Sequence, residues 1–430
     1  MNHWSNTSRR RIALSGALVL APLAGLTGCG GTDADPLASP PYDASNAVAV
    51  SAGSDAKSVD PAKPLQVSAK GEGEKLTDVI AVDAAGRFVN GELSADGSRW
   101  HSTSPLAAGV EYTVRASTEN EDGEPGRRTL NFRTKPADQK KLSVTFGPDS
   151  GTYGVGQPLT AELSHKVKDP AQRRLVERGL RVESQPQAEG SWYWVDSQKL
   201  HFRPKAYWPA HATVRVSSKL AGMKIRDGLY AAPSKPLKLR TGDRVEALAD
   251  AGTHQLTLKR NGKVVQTDPI TTGKAGFSTR TGTKVVLGQE SFVRMRSSTI
   301  GVAESGSEGY NLPVHWATRL TDSGEYVHAA PWSVGSQGSA NVSHGCTGMS
   351  TGNAHAFFSA VRPGDLVTHT NTGGEKMPTF GNGFGDWNMS WKEWQKGSAL
   401  YSGENGSEMD KSGRTNQTQQ AAQARLRPEL

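Results

Sequence analysis

The residue with the clearest capacity for chemistry is Cys346, one of only 2 cysteines in a chain of 430 residues. It lies in the motif Ser343-His344-Gly345-Cys346, where small residues flank the thiol as they flank an accessible nucleophile. Gly345 allows the backbone to approach a substrate closely, and the backbone amides near Gly345 and Cys346 are suited to hold a developing oxyanion. The motif therefore predicts nucleophilic catalysis by a cysteine.

Two histidines are candidates for the base that such a thiol needs. The pKa of a free cysteine is about 8.5, and a neighbouring imidazole favours the thiolate. His344 lies two residues before Cys346, whereas His328 ends a predicted strand eighteen residues before it, beyond a segment rich in glycine and serine. Spacing alone leaves the choice between the two histidines open.

Composition and motifs argue against other classes of site. The sequence has no H-E-x-x-H, Walker, dinucleotide-binding or G-x-S-x-G motif. Two cysteines exclude a disulfide-rich scaffold and a cysteine-rich zinc site. His201 and His211 fall in predicted strands and loops elsewhere, so no metal site is expected there. A mean hydropathy of −0.55 excludes a protein with many membrane spans.

The first thirty residues predict export and lipid attachment. Arg9, Arg10 and Arg11 precede an apolar stretch, Ile12 to Leu26, that is too short for a stable membrane span. The stretch ends in Leu26-Thr27-Gly28-Cys29, which resembles a bacterial lipobox with Cys29 as the lipidated residue. Ser8-Arg9-Arg10 leaves the export route open between the general and the twin-arginine pathways.

Cleavage before Cys29 would also change the charge of the protein. Loss of the three arginines lowers the formal net charge from +8 to +5. This mild excess gives no case for nucleic acid and suits a protein that resides among anionic wall polymers and lipid headgroups.

A repeated pattern predicts two similar β modules in the middle of the chain. Trp100-His101 and Thr113-Val114-Arg115 recur as Leu200-His201 and Thr213-Val214-Arg215, at an offset of 100 residues. The alternation of apolar and polar residues, punctuated by turns such as Glu121-Asp122-Gly123, favours short strands. Two immunoglobulin-like sandwiches are therefore expected, and neither contains a pair of cysteines for an inter-sheet disulfide.

The third region is expected to be mainly β with one helix. Alternating residues on both sides of Asn261-Gly262 predict a hairpin with a type I′ turn. Further strands are predicted at Lys284 to Leu287 and at Glu325 to His328. The segment from Asn353 to Val361 predicts the helix, capped by Ser350 or Thr351, since four apolar residues share one face: Ala354, Phe357, Phe358 and Val361.

These signals divide the chain into seven parts. They are a signal peptide (1–28), a linker (29–46), a first immunoglobulin-like domain (47–137), a second (138–242), a catalytic domain (243–385), a tryptophan-rich extension (386–401) and a disordered tail (402–430). In the extension, Trp387, Trp391 and Trp394 are expected to pack it onto the catalytic domain rather than to stack on carbohydrate.

The segment from Tyr326 to Cys346 resembles the L,D-transpeptidase family with a YkuD-type catalytic domain. That family has a histidine followed, after about fourteen to seventeen residues, by Ser/Thr-His-Gly-Cys, and here fourteen residues separate His328 from Ser343. The similarity runs from about Asp243 to Trp394. The order of lipobox, two immunoglobulin-like modules, catalytic domain and extension is similar to that of the actinobacterial members.

The resemblance implies a role for each matching residue of the motif. Cys346 matches the nucleophile and His328 the general base, whose imidazole is oriented by the backbone carbonyl of Ala329. Ser343, His344 and Gly345 match the surroundings of the nucleophile, with backbone amides around Gly345 and Cys346 as oxyanion donors.

The resemblance also implies a set of substrate-binding residues. Tyr310 matches a lid over the substrate channel, and Ser323, Gly324 and Asn341 match positions that line the acyl-donor pocket. One position departs from the pattern: many members carry Asn or Arg where this sequence has Gly348. A polar contact to substrate is lost there, which is expected to alter donor preference without abolishing activity.

The activity implied is formation of 3→3 cross-links in peptidoglycan. Cys346 would form a thioester with a tetrapeptide stem, release D-Ala, and pass the acyl group to a diaminopimelate amine or to water. Carbapenems are expected to acylate the same thiol, and no metal or organic cofactor is needed. The expected partners are donor and acceptor stem peptides and, through Cys29, the outer face of the cytoplasmic membrane; a monomer is expected.

Two other functions remain alternatives at this point. One is a sortase-like transpeptidase that acts on proteins, which would need an arginine partner in a different motif order. The other is a non-catalytic lipoprotein that binds the wall through its sandwiches.

Overall fold

The structure is a computed structural model that describes residues 40–53 and 55–403. It is mostly β, with two sandwich modules, a catalytic domain and a short C-terminal extension. None of the helices in the described ranges combines the length and the apolar character needed to cross a bilayer. The predicted signal peptide, Cys29, and residues 404–430 of the predicted tail lie outside the described residues.

The first module consists of two four-stranded sheets. Their orders are β1-β8-β7-β4 and β2-β3-β6-β5. In β7 exposed and buried side chains alternate, as expected for a strand with one face in a core. The strands are β1 Tyr42–Asp43, β2 Val48–Val50, β3 Gln66–Ala69, β4 Lys75–Asp83, β5 Gly91–Leu93, β6 Arg99–Ser102, β7 Glu111–Glu119 and β8 Pro125–Arg133.

The first module begins earlier than predicted. Tyr42 and Asp43 pair in parallel with Gly126 and Arg127 of β8, and Ala44 is fully buried. The Tyr42 hydroxyl donates to Glu74 at 2.6 Å. The predicted linker of residues 29–46 is therefore too long, because its last residues contribute an edge strand to the sheet.

The second module has the same sheet arrangement as the first, except at its first two strands. Its two main sheets have the orders β11-β19-β16-β13 and β10-β12-β15-β14. The edge strand β11 follows β10 in the chain, whereas its counterpart β1 precedes β2, and β17-β18-β9 form a small third sheet. The strands are β9 Lys140–Leu142, β10 Val144–Gly147, β11 Thr152–Tyr153, β12 Leu159–Leu163, β13 Leu180–Gln185, β14 Gly190–Trp194, β15 Lys199–Pro204, β16 Thr213–Ser218, β17 Lys224–Arg226, β18 Leu229–Ala231 and β19 Leu237–Thr241.

The repeated motifs occupy equivalent strands, which confirms the prediction of two immunoglobulin-like sandwiches. Trp100 in β6 and Leu200 in β15 are both buried, and the Thr-Val-Arg motifs lie in β7 and β16.

The second module also contains a helix that the sequence analysis missed, α1 at Pro170–Gly179. The Asp169 side chain caps it by accepting from the amide of Gln172, and Pro170 occupies its first turn. The helix buries Val176 and Glu177, and Leu175 and Val176 are its only large apolar residues, so few apolar positions mark it in the sequence.

The catalytic domain has a five-stranded sheet, β22-β21-β20-β28-β23, and a four-stranded sheet, β24-β25-β26-β27. Asn261 and Gly262 both have positive φ, at 50° and 80°, as a type I′ hairpin turn requires. The strands are β20 Val245–Asp250, β21 Gln255–Arg260, β22 Lys263–Pro269, β23 Gly282–Val285, β24 Gly288–Arg296, β25 Asn311–Arg319, β26 Tyr326–Ala329, β27 Thr347–Met349 and β28 Leu366–Thr370.

The predicted helix of this domain is α2, Thr351–Ala360, with Ser350 as its N-cap. Ala354 and Phe357 are buried in a core shared by both sheets. Three short 3₁₀ segments complete the domain and its border, at Ser297–Ile300, Pro331–Ser336 and Asp386–Asn388.

The extension ends in α3, Trp391–Lys396, and packs differently from the prediction. Trp394 is fully buried, but its indole N–H donates to the backbone of Ser191 in the second module. The indole N–H of Trp387 donates to Gly156, also in that module. Only Asn388 bonds the catalytic sheet, through Thr283. The extension is therefore mainly attached to the second module rather than to the catalytic domain.

Candidate active site

Two adjacent parallel strands bring the predicted base and nucleophile together. β26 pairs with β27 so that His328 lies opposite Gly348. Cys346 directly precedes β27, at the end of the turn that leads into it. Both side chains line one cavity. His344 lines the same cavity, so the hydrogen bonds of the two rings are what distinguish the two histidines.

A tight turn before β27 presents the thiol. Gly345 has φ of 117°, a region that side chains disfavour, so a glycine is required there. The Ser343 hydroxyl donates to the carbonyl of Cys346 at 2.6 Å, and the Thr279 hydroxyl donates to the carbonyl of Gly345 at 2.8 Å. These bonds fix the backbone on both sides of the sulfur.

Hydrogen bonding fixes the tautomer of His328. Its Nδ1 lies 2.8 Å from the carbonyl oxygen of Ala329, which can only accept, so Nδ1 carries the proton and Nε2 keeps its lone pair. Burial lowers the pKa of His328 below 6.5, opposed by the bond to Ala329. At neutral pH the imidazole is therefore uncharged and able to accept a proton.

The Cys346 thiol is held in its protonated form at rest. Burial raises its pKa to about 11, opposed by the backbone of Tyr326. The Sγ lies 3.5 Å from the carbonyl oxygen of Gly324, which accepts the S–H. A neutral thiol beside a neutral imidazole means that the proton moves when substrate is present, rather than beforehand.

A cavity of about 260 Å³ covers this pair. One wall is apolar and the other carries the catalytic motif, which suits a ligand with an apolar portion and a reacting carbonyl. The lining residues are Thr271, Met295, Tyr310, Leu312, Val314, His328, Ala330, Trp332, Ser333, Val342, Ser343, His344, Cys346 and Gly348. Tyr310 is one of them, and burial raises the pKa of its hydroxyl to about 12. Its role as a lid stays a prediction.

His344 has other partners than the sulfur. Its Nε2 lies 2.7 Å from a carboxylate oxygen of Glu308, which also binds Lys274 Nζ at 2.6 Å. The rings of Phe277 and Tyr310 flank the imidazole at 4.5 and 5.2 Å. These contacts with Lys274 and then His344 lower the pKa of Glu308. His344 is thus a wall residue that ties the segment carrying Tyr310 to the motif.

Lys274 and Glu308 were missed by the sequence analysis. They lie 34 positions apart in loops, where no periodicity links them. Only the position of Lys274 shortly before the predicted strand at Lys284 could have drawn attention to it.

The predicted oxyanion donors are only partly available. The amide of Gly345 donates to the Ser343 hydroxyl at 3.1 Å. An amide that is already bonded cannot also stabilise an oxyanion unless the serine rotates. In this arrangement Gly345 and Ser343 shape the turn, and the role of the Gly345 amide as an oxyanion donor stays a prediction.

Gly348 faces the cavity, and its neighbours leave little space for a side chain. A Cβ there would lie 2.9 Å from Thr271 and 3.0 Å from Ala330. The amide and carbonyl of Gly348 pair with Thr271 at 2.8 and 3.0 Å. In place of the polar side chain that many family members carry here, Gly348 therefore allows β27 to pack closely against Thr271.

The other predicted substrate-binding residues do not line the cavity. Asn341 accepts from Thr272 and donates to the carbonyl of Ala251 at 2.9 Å, so its amide ties loops together. Ser323 is bonded to Asn382 and lies near Arg280. Gly324 contributes only its carbonyl, behind the sulfur.

Comparison with known proteins agrees with this geometry. The model of the L,D-transpeptidase catalytic domain matches residues 244–368, and a model described as bacterial Ig domain matches residues 56–224. The first match contains every residue of the nucleophile motif, and the second spans both sandwich modules.

Two curated proteins of Mycobacterium tuberculosis are similar over most of the chain. L,D-transpeptidase 2 is 35% identical over 324 residues, covering 75% of this chain and 78% of that protein. L,D-transpeptidase 5 is 31% identical over 353 residues, covering 80% and 75%. A solved structure of LdtMt1 in complex with imipenem is 35% identical and covers 54% of this chain and 100% of its own, with a TM-score of 0.46.

Proposed function

Since this chain belongs to the L,D-transpeptidase family, we propose that it forms 3→3 cross-links in peptidoglycan by acyl transfer through Cys346. The observation that carries the proposal is that the end of β26 and the turn before its partner β27 contribute His328 and Cys346 to one cavity.

Acylation begins with transfer of the thiol proton to Nε2 of His328. The sulfur attacks the carbonyl of the third stem residue, a diaminopimelate, and a tetrahedral intermediate forms. The bond to D-Ala breaks, and the leaving amine takes the proton from the imidazolium. A thioester on Cys346 remains.

Cross-linking follows when the side-chain amine of a second diaminopimelate attacks the thioester. His328 accepts the proton of that amine and returns it to the departing sulfur, which restores the resting thiol. Attack by water instead gives L,D-carboxypeptidase activity. The apolar wall of the cavity favours the amine, because it limits access of water to the thioester.

The decisive experiment uses a disaccharide-tetrapeptide as substrate, with released D-Ala and the cross-linked dimer as products. Cys346→Ala is expected to abolish both products, and His328→Ala to reduce them by about 10²–10⁴-fold through loss of general-base catalysis. His315→Ala is the matched control, since His315 is exposed in the same sheet and lies outside the cavity lining. D-Ala release without dimer would identify a carboxypeptidase.

Acylation by a carbapenem tests the nucleophile separately. A thiol that forms thioesters with stem peptides should open the ring of meropenem and retain it, which intact-mass spectrometry detects. An adduct on the Cys346→Ala variant would contradict the proposed nucleophile.

The pH dependence of that acylation tests the base. The rate is expected to rise with pH through a midpoint below 6.5, because only neutral His328 accepts the thiol proton and burial lowers its pKa. A midpoint above 6.5 would mean that another group acts as the base.

The family assignment argues against a non-catalytic wall-binding protein. A sortase-like enzyme also fits poorly, because none of the described residues lining the cavity is an arginine. We further propose that Cys29 is lipidated and holds a monomeric enzyme on the outer face of the cytoplasmic membrane. Cys29→Ser is expected to release the protein from membranes into the soluble fraction.

A further inference from the structure

Three buried ionisable side chains lie beneath the nucleophile and have no part in the reaction proposed above. Lys284 is in β23, Glu325 directly precedes β26, and His369 is in β28. Their exposed fractions are 0%, 6% and 1%. Burying such groups is costly unless they pair, so a cluster of three needs an explanation.

The three side chains are joined in a row. Lys284 Nζ lies 2.5 Å from a carboxylate oxygen of Glu325 and 3.4 Å from Nδ1 of His369. His369 Nε2 lies 2.8 Å from the Thr347 hydroxyl. Arg280 binds the other oxygen of Glu325, through its backbone amide at 3.0 Å and its guanidinium at 3.2 Å.

Each end of the row lies next to a group that adjoins Cys346. Thr347 directly follows Cys346 in the chain. Glu325 directly follows Gly324, whose carbonyl accepts from the Cys346 thiol. Through His369 and Glu325, Lys284 therefore connects β27, the strand directly after the nucleophile, to the loop that accepts its S–H. Displacement of any member would move one of the two.

The charges of the row act on the thiol in opposite directions. The Glu325 carboxylate raises the pKa of Cys346, and the Lys284 ammonium lowers it. Burial lowers the pKa of Lys284 and of His369, while contact with Glu325 raises that of Lys284. An ammonium only donates, so Nδ1 of His369 accepts from it and Nε2 donates to Thr347.

We propose that Lys284, Glu325 and His369 are positioning residues that hold Cys346 in place and set a balanced pair of charges beneath its sulfur. The proposal rests on Cys346 being the nucleophile of the proposed function. Lys284 counters Glu325, which would otherwise oppose thiolate formation, and His369 passes this arrangement to the nucleophile strand.

The ionisable groups that face the sulfur come from several elements, so the test must isolate the cluster from the rest. The others lie in β26, in the lid segment and in the motif itself: His328, Tyr326, Tyr310 and His344. They stay unchanged when only Lys284 and Glu325 are varied.

The experiment measures alkylation of Cys346 by iodoacetamide between pH 6 and 10 in the full-length protein. Mass spectrometry of the peptide that contains Cys346 separates it from Cys29. The variants are Lys284→Met and Glu325→Gln, and Lys263→Met is the matched control, since Lys263 is exposed in β22 of the same domain. Circular dichroism establishes that each variant is folded.

The two variants are expected to change the rate of Cys346 alkylation in opposite directions. Lys284→Met leaves Glu325 to oppose the thiolate, so alkylation at pH 8 should slow about tenfold, equivalent to one pKa unit. Glu325→Gln should accelerate it, and Lys263→Met should leave it unchanged. A purely structural role would give shifts in the same direction or none, and either result would overturn the proposal.

The experiment also gives a clear result if one variant does not fold or if the proposed function is wrong. If Lys284→Met does not fold, Glu325→Gln decides alone, and an unchanged or slower alkylation overturns the proposal. Failure of the proposed function is distinguishable, since wild-type protein would then form no meropenem adduct while its alkylation still responded to the two variants.

Discussion

The two sandwich modules have the same strand order but different relations to the rest of the molecule. The hydrophobic core of the first contains only its own residues. The core of the second also contains Val285 and Leu366, which belong to the catalytic sheet. Phe384 of the catalytic domain and Trp387 and Ala399 of the extension pack against it.

The joints of the two modules differ in the same way. The first module meets the second through Arg87, whose guanidinium donates to the carbonyls of Lys219 and Ala221 at 2.7 Å, and through one backbone bond from Ala108. The second module shares a buried arginine with the extension: Arg203 lies under three tryptophan rings and donates to the carbonyl of Met389.

One pair of residues shows how copies of one module diverge. His101 and His201 are equivalent in the repeat, but His101 is exposed, whereas His201 Nδ1 lies 2.8 Å from the buried carboxylate of Asp386. The topology of a module thus does not decide its role. The side chains on its surface make the second module a foundation of the catalytic domain and leave the first as a separate body.

The largest loss of stability is expected from removing the buried tryptophan at the centre of the extension. Trp394→Ala deletes a fully buried ring that packs on Tyr193 and Phe380, and should cost about 3–5 kcal/mol in the free energy of unfolding. Urea denaturation measures it, with Leu400→Ala, an exposed site in the same segment, as control. A loss below about 1 kcal/mol would mean that the extension does not stabilise the second module.

A smaller effect is expected from the pair of equivalent histidines. His201→Ala leaves the buried carboxylate of Asp386 without its partner and should cost about 2 kcal/mol, whereas His101→Ala should change stability by less than about 0.5 kcal/mol. Thermal or urea unfolding of the two variants compares them directly. Equal costs would contradict the different roles assigned to the two modules.

Weakening the contact between the first and second modules should lower stability by a smaller amount. Arg87→Ala removes two bonds to backbone carbonyls at the edge of the second module and is expected to lower stability by about 1 kcal/mol. The clearer readout is small-angle scattering, in which the radius of gyration should increase as the first module gains freedom. Lys75→Ala, exposed in the same module, is the control.

The smallest effect is expected on catalysis. Deletion of the first module, residues 42–137, leaves the core of the second intact, so kcat/KM for a soluble disaccharide-tetrapeptide should stay within about twofold. Steady-state kinetics of the truncated and full-length proteins measure this. A loss of tenfold or more would show that the first module contributes to the active site.

Local signals in the sequence were sufficient for much of the fold. The repeat at an offset of 100 residues predicted both sandwiches, and Asn261-Gly262 predicted the hairpin, because turn and strand preferences act between neighbours. Helix α1 was missed since its burial depends on the module around it. The extension was assigned to the wrong surface because its partners lie about 200 positions away.

In the active site too, local sequence signals predicted some residues, whereas contacts between distant residues could not be predicted. The motif and its spacing pointed to Cys346 and His328, and strand pairing explains why that spacing works. Asn341 and Ser323 matched by position, but the Asn341 amide is bonded to Ala251 and the Ser323 hydroxyl to Arg280, which only coordinates reveal. No local pattern links Lys284 to His369, 85 positions apart, so a buried hydrogen bond between them could not be read from the sequence.

The docking of the extension has a consequence for how the chain is made. Trp394 reaches Ser191 across 203 positions, and Ser398 reaches the buried Glu177 across 221. As synthesis proceeds from the N-terminus, the second module stays open on this side, with Glu177 and Arg203 uncovered, until almost the last structured residues have emerged. Assembly of the enzyme is thus a late event that depends on long-range closure. A nascent chain that stops short of residue 394 would retain the complete catalytic motif. It would lack the segment that packs against the second module beneath the catalytic domain.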